Sequence, residues 1–113
     1  GRNQFLTLIE AQNGPGWRYY KAYVADRLDG EWSPLANSKN EAFASIRNVE
    51  QPEPRWTDSV SHGELLRAGV DEFLEVDPRQ LRFVYQGVLE SDRVGKKYGD
   101  IPWRLGILDR VAE

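Results

Sequence analysis

The sequence holds 113 residues, with 15 lysines and arginines against 18 aspartates and glutamates, a net charge of −3 and no cysteine. That length suits one small domain or part of a larger one. The charge balance provides no basic field for phosphate backbones or anionic lipid, which argues against nucleic acid and membrane surfaces as partners. The missing thiols exclude a zinc–thiolate site.

No apolar run nears the roughly 20 residues of a bilayer-spanning helix, and no charged stretch followed by an apolar core opens the chain as in a signal peptide. The first residue is Gly1 and methionine is absent throughout. The chain is therefore expected to start downstream of some boundary in a longer protein.

Short runs of aromatic, β-branched and other apolar residues alternate with Gly, Pro, Asn and Asp, the punctuation of an all-β fold. Phe5 to Ala11 is apolar on both faces, as in a strand covered above and below. Asn13-Gly14-Pro15-Gly16 turns the chain into Trp17 to Val24. There the rings of Trp17, Tyr19 and Tyr23 share one face, and Tyr20, Ala22 and Val24 share the other. These two strands predict an antiparallel hairpin. Asp29-Gly30 makes a second tight turn into Trp32 to Leu35, where Pro34 suits only an edge strand.

From Ala36 to Trp56 the composition is polar, with Pro52 and Pro54 stiffening the end, and predicts a long surface connection. Val60–Leu66, Glu72–Val76, Leu81–Gln86 and Trp103–Leu108 are the later candidate strands, with Asp77-Pro78 separating the second from the third. The stretch from Gly63 to Leu74 also fits a helical stripe through Leu66, Val70, Phe73 and Leu74, though Gly63 and Gly69 weaken that option. Arg27 to Trp32 has the pattern of a blade-closing turn in a β-propeller.

The single histidine, His62, lies among small residues in Ser59-Val60-Ser61-His62-Gly63. It reads either as a hydrogen-bonded structural residue or as an imidazole facing a ligand or metal. No second histidine supports catalytic zinc. Glycoside hydrolysis needs two carboxylates, one protonated and one ionised. Glu10 and Glu64 are the candidate pair because apolar neighbours could raise a pKa, although strand glutamates are more often exposed or structurally paired. Trp17, Tyr19, Tyr20, Tyr23, Tyr85, Tyr98 and Trp103 are possible sugar-stacking platforms, set against the commoner role of such rings as core. No phosphate loop, nucleophile elbow or basic-aromatic stripe is present.

Taken in order, Gln4 to Ala11 (QFLTLIEA), Arg18 to Asp26 (RYYKAYVAD), Leu28 to Leu35 (LDGEWSPL), Ser61 to Arg67 (SHGELLR), Val76 to Pro78 (VDP), Tyr85 to Gly87 (YQG) and Pro102 to Leu108 (PWRLGIL) resemble glycoside hydrolase family 62. The resemblance implies a five-bladed β-propeller. It also implies removal of α-L-arabinofuranosyl side chains from xylan with inversion, by an aspartate base, a glutamate acid and an aspartate that tunes the acid.

The matching region is the C-terminal part of that domain. Residues 4–35 correspond to the three outer strands of the fourth blade and residues 57–109 to the fifth, so all three catalytic carboxylates are expected upstream of Gly1. Glu10 is not carried over as one of them. The resemblance further implies substrate-binding roles for Tyr98 and His62, with His62 at the propeller axis facing a hydrated calcium ion. A secreted, extracellular protein is expected, acting on arabinoxylan.

Two departures stand out: Arg79 replaces a cysteine common after the Asp-Pro, and Gly99 replaces the asparagine that commonly follows the tyrosine. By itself the chain is expected to be inactive and to need the N-terminal part of its domain. The competing reading is a non-catalytic carbohydrate-binding or structural module built from propeller blades.

Overall fold

The structure, a computed structural model, describes residues 4–13 and 17–110. It is built on two antiparallel three-stranded sheets. Strands β1 (Phe5–Gln12), β2 (Arg18–Ala25) and β3 (Ser33–Ala36) form the first, in the order β1-β2-β3. Strands β4 (Ser61–Leu65), β5 (Arg82–Gly87) and β6 (Arg104–Asp109) form the second, in the order β4-β5-β6. A short helix α1 (Glu90–Arg93) and a single 3-10 turn at Tyr98–Asp100 lie between β5 and β6.

The expected hairpin is present, in unbroken register from Phe5↔Ala25 to Gln12↔Arg18. The Asn13 N–H donates to the Trp17 carbonyl at 2.8 Å and closes its end; Gly14, Pro15 and Gly16 lie outside the described residues. As the central strand, β2 is covered on both faces and buries Tyr19, Tyr20, Ala22 and Ala25, which explains why it lacks a polar face.

Pro34 lies on the edge strand, as its missing N–H requires. The pairing steps from Ala22↔Ala36 to Tyr23↔Pro34, leaving Leu35 as the extra residue of a bulge. The Arg27–Gly30 turn is tight: the Gly30 N–H reaches the Arg27 carbonyl at 3.0 Å, and Arg27 is paired with Asp29.

Two expectations are corrected. The connection from Ala36 to Trp56 is not purely a surface segment, since Ala44 and Ser45 are buried. β3 is short and ends opposite Ala22, so the backbone of Tyr20 lacks a strand partner on that side, and buried N–H and C=O groups must find one. The connection supplies it. Tyr20 N–H donates to the Ala44 carbonyl at 2.9 Å, and Phe43 N–H donates to the Tyr20 carbonyl at 2.8 Å.

Glu72–Val76 is not a strand, and the helical alternative for Gly63–Leu74 is absent as well. β4 pairs directly with β5, so no place is left for a strand between them. The segment folds as a loop instead. The Ala68 N–H donates to the Glu75 carbonyl at 2.7 Å, the Asp71 carboxylate accepts the Phe73 N–H, and Leu74 takes φ +57°. Val70, Phe73 and Leu74 are left exposed. The expected Val60–Leu66 strand shortens to Ser61–Leu65, and the remaining two agree within a residue.

The core lies between the sheets, around Tyr20, Ala44, Val60, Phe83 and Tyr85, with Leu8, Phe43, Trp56, Leu65 and Leu108 packed against it. Tyr20 meets Phe83 edge to face at 5.0 Å between ring centroids, and Trp56 tilts against Tyr85 at 5.7 Å. Burial of each such ring is worth about 2–3 kcal/mol. The sheets are also joined through their backbones at the start of β2: Val60 N–H donates to the Arg18 carbonyl, and Arg18 N–H donates to Ser59 Oγ, both at 3.0 Å.

Candidate functional site

Pairing between β4 and β5 passes from Ser61↔Gln86 to Glu64↔Val84, so His62 and Gly63 form a bulge. His62 has φ +45°, a left-handed conformation that a side-chain-bearing residue rarely adopts. Gly63 follows because nothing larger fits: an added Cβ would strike the Phe83 ring.

The bulge is held from the other sheet, by β1 and β2. Glu10 on β1 accepts the His62 backbone N–H through Oε1 at 3.0 Å, and Tyr20 Oη accepts the Gly63 N–H at 2.7 Å. The other oxygen of Glu10, Oε2, accepts from Ser61 Oγ at 2.9 Å and from Arg18 Nη1 at 3.0 Å. The Tyr20 hydroxyl lies 3.3 Å from Glu10 Oε1. Ser61 Oγ is also 2.9 Å from His62 Nδ1.

Burial by itself pushes the Glu10 carboxyl up, but the His62 N–H, the Arg18 guanidinium and the Ser61 hydroxyl outweigh it and hold it below its ordinary value. An ionised, multiply bonded carboxylate is a hydrogen-bond acceptor, the opposite of the raised carboxyl a general acid needs. Burial pushes the Tyr20 hydroxyl up, partly opposed by the Gly63 N–H, and the neighbouring Glu10 charge adds to the rise. It stays protonated at neutral pH.

Glu64, the other member of the candidate pair, is solvent-exposed and lies 3.8 Å from Arg67. Glu10 is thus engaged as an acceptor inside the bulge while Glu64 faces solvent beside Arg67, so the two do not share one enclosed site.

His62 and Tyr98 do meet, through Trp103. His62 is exposed, and its ring stands edge-on to Trp103 at 6.3 Å; Trp103 in turn lies 6.4 Å from Tyr98. Tyr98 is 60% exposed, which leaves its ring free for a ligand face. The other candidate platforms divide by burial. Tyr19, Tyr20 and Tyr85 belong to the interior, Tyr23 is half-buried, and Trp17 is covered by the Arg47 guanidinium at 5.3 Å.

Two open clefts of about 680 and 530 Å³ lie elsewhere, one beside Trp56 and β6 and the other beside Phe43 and Leu108; neither reaches His62 or Tyr98.

A calcium ion takes six to eight oxygen ligands. Among the described residues no group of three or more His, Cys, Asp or Glu is placed to hold a metal, and both oxygens of Glu10 are already engaged. These residues do not by themselves fit a calcium shell, and the most His62 can add is one nitrogen.

The roles of Ser61, Arg18 and the Tyr20 hydroxyl are not evident from the sequence. The one available signal is a glutamate inside the otherwise apolar run Phe5 to Ala11.

The family model for glycosyl hydrolase family 62 matches residues 1–109. α-L-Arabinofuranosidase C of Cellvibrio japonicus (strain Ueda107) is 43% identical over 109 residues, which is 96% of this chain and 17% of that protein. The catalytic domain of the Coprinopsis cinerea GH62 α-L-arabinofuranosidase superposes with a TM-score of 0.88 at 37% identity, covering 96% of this chain and 34% of that one.

A Podospora anserina α-L-arabinofuranosidase solved with cellotriose gives a TM-score of 0.87 at 41% identity, covering 95% of this chain and 33% of the other. A GH62 hydrolase solved with xylotriose gives 0.84 at 38% identity, covering 93% and 32%. The chain thus spans about a third of the solved domains it matches and less of the longer relative. With its two sheets superposing on those β-propeller domains, the chain belongs to glycosyl hydrolase family 62 and forms part of a propeller.

Proposed function

We propose that the complete protein is a secreted α-L-arabinofuranosidase that removes arabinofuranosyl side chains from arabinoxylan with inversion, and that this chain is the C-terminal part of its catalytic propeller. The observation that carries the proposal is the family match over residues 1–109, together with relatives named as α-L-arabinofuranosidases. The relative bound to xylotriose supports xylan as the polymer.

On this reading residues 4–35 and 57–109 form the outer strands of the fourth blade and the fifth blade, and the acid and base lie upstream. Glu10, held below its ordinary pKa, is consistent with that division of labour. Tyr98 offers an exposed ring for a sugar face. Were a central calcium bound in the complete domain, His62 would supply at most one nitrogen, and water and residues of other blades would have to provide the oxygen ligands.

The test is a domain-length protein carrying this segment, incubated with arabinoxylan and followed by proton NMR. Release of arabinose whose first-formed anomer is inverted supports the proposal. Binding of xylan without release would place the protein among non-catalytic carbohydrate-binding modules.

A further inference from the structure

We propose that Glu10 and Ser61 are positioning residues that hold the His62 ring in its Nδ1–H form and leave the Nε2 lone pair to face whatever ligand meets the row formed with Trp103 and Tyr98. Ser61 has one hydroxyl hydrogen and two close neighbours, Glu10 Oε2 and His62 Nδ1, each at 2.9 Å. An ionised carboxylate can only accept. If the hydrogen pointed to Nδ1, the serine lone pairs would face a carboxylate oxygen at hydrogen-bond distance. Ser61 is fully buried, so no water relieves that repulsion.

The hydrogen therefore goes to Glu10, and Nδ1 must donate to Ser61. Arg18, donating to the same carboxylate oxygen, holds Glu10 in its acceptor state. Nε2 has no hydrogen-bond partner among the described residues, so its lone pair remains available to a cation or to a hydroxyl donor. The other oxygen of Glu10 takes the His62 backbone N–H and retains the left-handed φ of the same residue. One carboxylate thus sets both where the ring stands and which nitrogen it presents, as the carboxylate partners of ligating histidines do elsewhere.

The test is nitrogen NMR of the full chain labelled at histidine, joined to upstream sequence where that is needed for a monodisperse sample, with chelator present. At about pH 8 a free imidazole is neutral. The His62 signals are identified by their loss in His62→Gln. The expected wild-type spectrum has a protonated Nδ1 and an unprotonated Nε2. Ser61→Ala should move both nitrogens toward the averaged shifts of an unrestrained ring.

Glu10→Gln should do the same and speed exchange of the His62 amide at least about tenfold, as loss of a charge-assisted bond requires. A wild-type ring protonated on Nε2, or a Ser61→Ala ring unchanged from wild type, overturns the proposal. Unchanged amide exchange in Glu10→Gln overturns the backbone half of it. If Glu10→Gln does not fold, Ser61→Ala decides the tautomer.

Discussion

At the residue scale, Glu10 is a carboxylate whose surroundings stabilise its charge more than burial opposes it. Its folded pKa lies below its unfolded one. A group depressed in this way contributes stability that is present above the unfolded pKa and lost as pH falls through the folded value. Acid titration of the wild type should therefore show a loss of stability below the ordinary glutamate range that Glu10→Gln lacks, read from urea midpoints at several pH values. At neutral pH Glu10→Ala should cost about 2–3 kcal/mol, because Arg18, Ser61 and the His62 N–H lose their shared acceptor. Gly63→Ala acts through sterics: its Cβ has no room beside Phe83, and a cost of about 1–3 kcal/mol in the same measurement is expected.

At the element scale, β1 has β2 on one side and, among the described residues, no strand on the other. Phe5 and Ile9 on it are 40% and 48% exposed. An unpaired edge with exposed apolar side chains is a template for another strand. The 113-residue chain alone should accordingly self-associate with rising concentration, and Ile9→Lys should reduce that association in light scattering. A concentration-independent wild-type monomer with cooperative unfolding would contradict this. The edge strand β3 is protected differently, by Pro34 and the Leu35 bulge, which interrupt the donors that another strand would need.

At the scale of the whole molecule, the chain covers 34% of the Coprinopsis cinerea domain that it superposes on. Among the described residues Glu10 is an acceptor clamp and Glu64 faces solvent, so the purified 113-residue chain should release no arabinose from arabinoxylan above a heat-killed control. In the domain-length protein Tyr98→Ala should raise KM by roughly threefold to tenfold with kcat little changed, as removal of a ring that only binds the polymer predicts. His62→Ala should lower calcium affinity by calorimetry and reduce turnover while leaving the fold intact by circular dichroism. Equal calcium affinity and turnover would leave His62 as a structural residue.

The sequence alone determined the all-β class, the hairpin of β1 and β2, the edge position of β3 and the family. These depend on local alternation, on turn residues such as Asp29-Gly30, and on ordered motifs. Tertiary structure alone decided that Glu10 is a clamp, because its partners Ser61 and His62 lie 51 and 52 residues away. It also decided which tyrosines are core and which is a surface, since Tyr20 and Tyr98 differ only in what packs around them. Ala36–Trp56 was drawn inward because the Tyr20 backbone needed partners. Glu72–Val76 did not enter the sheet between β4 and β5 because those two strands pair directly with each other. An apolar pattern states what a segment can bury; whether it does depends on which backbone and side-chain groups elsewhere in the chain remain unsatisfied.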